Sequence, residues 1–143
     1  MIPSSPVTTL VAVTKEAERA IGGKRDVRVT RFPFKVGRES RVSNPPAFPT
    51  ELRLGVAPPL NDLYLLEPPW SDLFYISRAH FAIEYADNQF FLVDRGSECG
   101  TIVAGRQIGG GRTGGRTILR SGDEIIVGTD ESRYVFRFEI VTA

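Results

Sequence analysis

Apolar residues recur at every second position in several stretches of the chain: Val27 and Val29; Phe81, Ile83 and Tyr85; Tyr134, Phe136, Phe138 and Ile140. This period predicts strands with one buried face. "FFLVD" (Phe90 to Asp94) follows Tyr85 across the turn residues of "ADNQ", so the two segments read as a hairpin. "TTLVAVTKEAERA" (Thr8 to Ala20) opens with β-formers, and a short helix around Glu16 to Ala20 fits but is not required. "FPFKVG", "NDLYLLE" and "SRYVFRFEIV" each suit a strand, and "TIVAGRQI" suits two short strands around a glycine. "TILRSGDEIIVG" is a strand or extended arm, a turn at Ser121-Gly122-Asp123, and a strand. Ten or eleven short strands with turn signals between them predict an all-β sandwich. No internal repeat interrupts the pattern.

One region breaks it. Seven of the ten prolines lie between Pro45 and Pro69, where proline resists both helix and central strand. The pattern there predicts a long loop insertion, over about residues 40–60. Its "PAFP" (Pro46 to Pro49) has the spacing of a polyproline ligand but no flanking basic anchor, so a solvated loop is the simpler expectation.

Composition changes the picture little. A length of 143 residues suits a single domain with a real core, 1–143. The net charge of +1 argues against a nucleic-acid surface. With 15 Arg against 3 Lys, one arginine alone says little about an anion site. One cysteine excludes an intrachain disulfide and a Cys-rich zinc site, and no metal or cofactor is expected. No apolar run of about 18 residues is present, so no membrane span is expected, nor is a signal peptide. A soluble, cytoplasmic protein is the default.

The candidate chemistry starts at "ISRAHF", where Ser77, Arg78 and the only histidine, His80, fall within four positions. A serine nucleophile with His80 as base and Asp94 as orienter would need an elbow motif that is missing. Cys99, the other nucleophile candidate, has no helix behind it to lower its pKa. "GGRTGGRT" (Gly110 to Thr117) nearly fits a phosphate loop, with Arg116 in place of lysine, but no helix can follow it. A loose hairpin loop is the expectation there. A more informative set spans four turns: Gly37-Arg38, Ser77-x-x-His80, Asp94-x-x-Ser97-x-x-Gly100-Thr101 and Leu119-x-x-Gly122-Asp123. Loops of a sandwich gather at its ends, so distant turns can build one site. An arginine fork, a hydroxyl and backbone N–H groups are what a phosphate needs.

The ordered segments "VGRES", "NDLYL", "ISRAHF", "FFLVDRGSECGTIVAG" and "LRSGDEIIVG" resemble the forkhead-associated (FHA) domain. The resemblance runs from about Val36 to Gly128, within a core of about 27–140. It implies a β-sandwich of about eleven strands that binds phosphothreonine-containing proteins and is not an enzyme. It places the module in Ser/Thr kinase signalling or complex assembly. By this likeness Arg38 pairs with the phosphate, Ser77 donates its hydroxyl to it, and Arg78 makes a secondary contact. Gly37 permits the turn that aims Arg38. His80, Gly100 and Thr101 are structural, His80 bracing the loops. Threonine selection over serine would rest on one buried methyl, roughly 0.8 kcal/mol.

The chain departs from the family at named positions. Glu98 and Cys99 stand in its S-x-N-G-T segment, where asparagine holds the bound peptide. A carboxylate at Glu98 would repel phosphate unless it pairs with an arginine, and Arg41 and Arg95 are the neighbours available. Ala104 replaces an asparagine in the following turn. Tyr75 falls where the family reads the partner beyond the phosphothreonine, which points to an apolar preference. A second reading keeps the fold and drops the phosphate: a phospho-independent module that binds a partner or a second copy of itself.

Overall fold

The period-two stretches form strands. The computed structural model describes residues 6–40, 60–68 and 74–141. The proline-rich insertion, Arg41 and the "PAFP" segment fall outside these residues, apart from the insertion's margins. Eleven strands among the described residues make two sheets. They are β1 (Thr8–Ala12), β2 (Asp26–Val29), β3 (Phe34–Arg38), β4 (Leu63–Leu65), β5 (Phe81–Ala86) and β6 (Gln89–Asp94). Then follow β7 (Thr101–Val103), β8 (Arg106–Ile108), β9 (Gly115–Leu119), β10 (Glu124–Val127) and β11 (Val135–Ile140). One sheet runs β2-β1-β11-β10-β7-β8 and the other β4-β3-β5-β6-β9. This is the all-β sandwich that the alternating pattern predicted.

The hairpin of β5 and β6 pairs Phe81 with Asp94 through to Ala86 with Gln89. Its turn residues Asp87 and Asn88 have φ of 53° and 63°, the left-handed pair that a tight two-residue hairpin requires. Alternation decides which faces meet. Phe81, Ile83, Leu92, Phe136 and Phe138 are fully or almost fully buried, in one cluster fed by both sheets. Burying each such side chain is worth about 1.5–3 kcal/mol. Ile140, the last residue of β11, is instead 37% exposed.

The helix that the sequence left optional is present. α1 (Lys15–Ala20) starts at Thr14, whose hydroxyl accepts the N–H of Ala17. Ala17 and Ala20 bury against the core, and the Ala20 carbonyl accepts the N–H of Leu66. That bond ties the segment leaving β4 to the body of the sandwich. No helix among the described residues is long and apolar enough to cross a membrane.

Candidate functional site

The site is built where β3 ends against the turn before β5. The N–H of Arg38 donates to the carbonyl of Ser77 (2.9 Å), and the N–H of His80 donates to that of Val36 (3.1 Å). The two segments are therefore laddered beyond the formal strands. Gly37 lies between them. A Cβ there would sit 1.9 Å from the Arg78 carbonyl oxygen and 2.7 Å from Asn61 Nδ2, so only glycine allows this approach. Buried Asn61 locks the contact: its Nδ2 donates to the Arg78 carbonyl (2.7 Å), and its Oδ1 accepts from Arg95 Nη1 (2.6 Å).

His80 is fully buried. Its Nδ1 accepts the N–H of Ser77 at 2.9 Å, so the ring proton lies on Nε2, which donates to the Gly100 carbonyl at 2.7 Å. Burial pulls its pKa down, while the Gly100 bond and Asp94 oppose this and Arg95 adds to it. Both ring nitrogens face backbone, and neither is left for the Ser77 hydroxyl. Asp94 does not orient the ring by a hydrogen bond. It closes the next loop instead, accepting from the N–H groups of Gly96 (3.0 Å) and Ser97 (2.9 Å) and the hydroxyls of Ser97 (2.6 Å) and Thr101 (2.8 Å). Ser97 in turn accepts the N–H of Gly100 at 2.9 Å. A loop closed this way presents Glu98 and Cys99 at a fixed place.

That place is beside Ser77. The N–H of Glu98 donates to Ser77 Oγ at 3.0 Å. The hydroxyl is spent there as an acceptor, and its own proton has no acceptor among the described residues. Next to it lies the half-buried Arg38, whose Nη1 donates to the Ile76 carbonyl (3.1 Å) and whose guanidinium stacks 4.5 Å from the centre of the Phe74 ring. Burial lowers the Arg38 pKa, Glu67 opposes this, and nearby Arg78 adds to it; an arginine stays charged all the same. Arg78 is exposed, and its side chain makes no hydrogen bond among the described residues.

Four contributors were not singled out for these roles in the sequence. Glu67 accepts the N–H groups of Tyr75 (2.8 Å) and Ile76 (3.1 Å). Burial pushes its carboxyl pKa up, with those two bonds and Arg38 pulling the other way. Phe74, 44% exposed, offers an open ring at the mouth, whereas Tyr75 is partly buried against the core. Asn61 is the lock described above. Arg112 is the fourth: its Nε lies 2.8 Å from the Glu98 carboxylate. The expected partner Arg95 is bonded to Asn61 and the Leu60 carbonyl. A strand-end glutamate and an asparagine before a strand are ordinary signals, and no spacing rule joins Arg112 to Glu98.

One further expectation meets different geometry, while the missing helix and the unactivated cysteine are as the sequence suggested. The glycine-rich loop is not loose: the N–H of Gly111 donates to the Glu98 carbonyl (2.8 Å) and that of Arg112 to the Ser97 carbonyl (3.0 Å). β9, not a helix, follows it. The Cys99 thiol, 3.6 Å from the Phe74 carbonyl, has its pKa pushed up by burial first and then by Glu98 and Glu67, which disfavours a thiolate.

Residues 53–128, more than half of the chain, match the FHA domain family. The chain belongs to the FHA domain family. No curated protein matches it. Solved structures resemble this FHA domain in fold. The FHA domain of an Arabidopsis thaliana hypothetical protein superposes with a TM-score of 0.60 at 19% identity, covering 100% of this chain and 95% of that one. The N-terminal FHA domain of S. cerevisiae Rad53p, in complex with a phosphothreonine peptide, gives 0.55 at 16% identity, over 94% and 93%. Mycobacterium tuberculosis EmbR, in complex with a low-affinity phosphopeptide, gives 0.56 at 17% identity, over 96% of this chain and 25% of the EmbR chain. FHA domains are in general binding modules and not enzymes. Arg38 precedes the matched residues of this FHA domain, and the β3 ladder is what brings it to Ser77.

Proposed function

We propose that this FHA domain binds phosphothreonine-containing segments of partner proteins, in a Ser/Thr kinase pathway or the assembly of a complex. The observation that carries the reading is at Ser77. Its Oγ accepts the Glu98 N–H and keeps a proton to donate, beside an Arg38 guanidinium held on the Ile76 carbonyl. A phosphate there would meet a charge-assisted fork, a hydroxyl donor and the field of Arg78. The phosphopeptide complexes of Rad53p and EmbR support the same reading by analogy of fold.

The test is a phosphothreonine peptide library, with each binder repeated after phosphatase treatment. Binding lost on dephosphorylation supports the proposal. Binding that survives it, with no phosphopeptide preferred, supports instead a phospho-independent interaction or self-association, through the exposed Phe74 mouth or the sheet faces.

A further inference from the structure

The Glu98 carboxylate follows directly on an N–H bonded to the proposed phosphate donor Ser77, at 3.0 Å. An unpaired negative charge there would oppose a phosphate of about −1.5 to −2. The structure pairs it from an unexpected direction. Arg112 lies in the loop between β8 and β9, and its Nε meets the Glu98 carboxylate at 2.8 Å. The loop is built to hold it there. Arg112 has φ of 67°, a left-handed conformation uncommon for a side-chain-bearing residue, between glycines that also take positive φ. Its N–H is anchored on the Ser97 carbonyl and that of Gly111 on the Glu98 carbonyl. Gly100 and Gly109 allow the two loops to touch: a Cβ on Gly100 would lie 3.2 Å from the Gly109 carbonyl, and one on Gly109 would lie 2.6 Å from Asp94 Cγ.

We infer that Arg112 is a positioning residue for phosphopeptide binding, which acts through Glu98 by neutralising and turning aside its carboxylate at the mouth of the site. This deepens the phosphothreonine reading and rests on it. The pair is exposed, 82% for Arg112 and 63% for Glu98, so its own contribution to stability is small. Its effect falls on the charge that an incoming phosphate meets. Among the described residues, Arg38 interacts electrostatically with Glu67 and Arg78, and Glu98 is offset by Arg112.

The experiment is a charge cycle on the whole chain, read with a phosphothreonine peptide taken from the library and its unphosphorylated form. Wild type, Arg112→Gln, Glu98→Gln and the double variant are titrated at low and at high salt. Arg112→Gln should weaken phosphopeptide binding roughly two- to fivefold at low salt, and less at high salt. The double variant should bind as tightly as Glu98→Gln alone, and Arg112→Lys should keep most of the affinity. A double variant as weak as Arg112→Gln would overturn the inference, since Arg112 would then act directly or through the loop's shape. So would an unchanged Arg112→Gln. If the wild type binds no phosphopeptide, the functional reading itself fails and this inference with it; a flat cycle around a wild type that binds removes only the role of Arg112.

Discussion

The buried imidazole of His80 donates from Nε2 to the carbonyl of Gly100 at 2.7 Å, and so joins the turn carrying Ser77 to the loop carrying Glu98. The Gly100 carbonyl also accepts the N–H of Gly128 at 2.9 Å, which brings the end of β10 into the same junction. Replacing His80 by alanine empties a packed space and strands the Ser77 N–H. The expected loss is about 2–4 kcal/mol of stability in urea denaturation. The pH dependence has a definite sign. The folded pKa of His80 lies below its ordinary value of 6.5. The unfolded chain therefore takes up the proton first, and this contribution to stability, complete above pH 6.5, is lost as pH falls through the folded pKa. Glu67, with a raised pKa, has the opposite slope above its ordinary 4.5. The difference between wild type and the His80 variant removes that common term, and this difference should shrink on acidification from pH 7.

Gly37→Ala should disable the site without touching a charge. The new Cβ would meet the Arg78 carbonyl at 1.9 Å, so β3 must move off the turn and take Arg38 with it. Overpacking of this kind costs about 1–3 kcal/mol. Phosphopeptide affinity should fall at temperatures where circular dichroism still reports a folded sandwich.

Glu67→Ala removes the acceptor of two backbone N–H groups in the segment that supports Arg38. Leaving them unpaired should cost about 1–3 kcal/mol. Amide exchange at Tyr75 and Ile76 should quicken more than at the β5–β6 hairpin. Equal quickening at both would mean that Glu67 supports the whole fold and not this segment.

Ala104→Asn should stabilise the protein. Ala104 has φ of 49° ahead of Gly105 at 83°, in the two-residue connection between β7 and β8. Asn-Gly suits that turn far better than Ala-Gly. A gain of about 1 kcal/mol in chemical denaturation is expected, with phosphopeptide affinity unchanged, because the Ala104 N–H is bonded to the Glu124 carbonyl and no hydrogen bond among the described residues joins the turn to Ser77 or Arg38.

Period and punctuation made most of the sandwich legible. Phe81 and Ile83, or Phe136 and Phe138, show their face in the sequence because the strand period is local. The β5–β6 turn is legible for the same reason, since Asp87 and Asn88 tolerate positive φ. The set Arg38, Ser77 and His80 was legible as an ordered motif. The contacts between loops were not. Arg112 meets Glu98 across 14 residues of chain through a glycine loop that looked loose, because its anchoring bonds run to another loop. Asn61 and Glu67 likewise act on segments distant in sequence. Tyr75 and Phe74 are neighbours, and Tyr75 packs where Gly128 leaves room, since a Cβ on Gly128 would lie 2.9 Å from Tyr75 Cβ, a contact far away in sequence.

Calorimetric titration of a library-selected phosphothreonine peptide into wild type and Arg38→Ala tests the central claim most directly. Arg38→Ala should lose about 1.5–3 kcal/mol of binding, roughly 10- to 150-fold in affinity, while remaining folded. The same affinity in both proteins, or equal binding of the phosphorylated and unphosphorylated peptides, would contradict a phosphate held between Arg38 and Ser77.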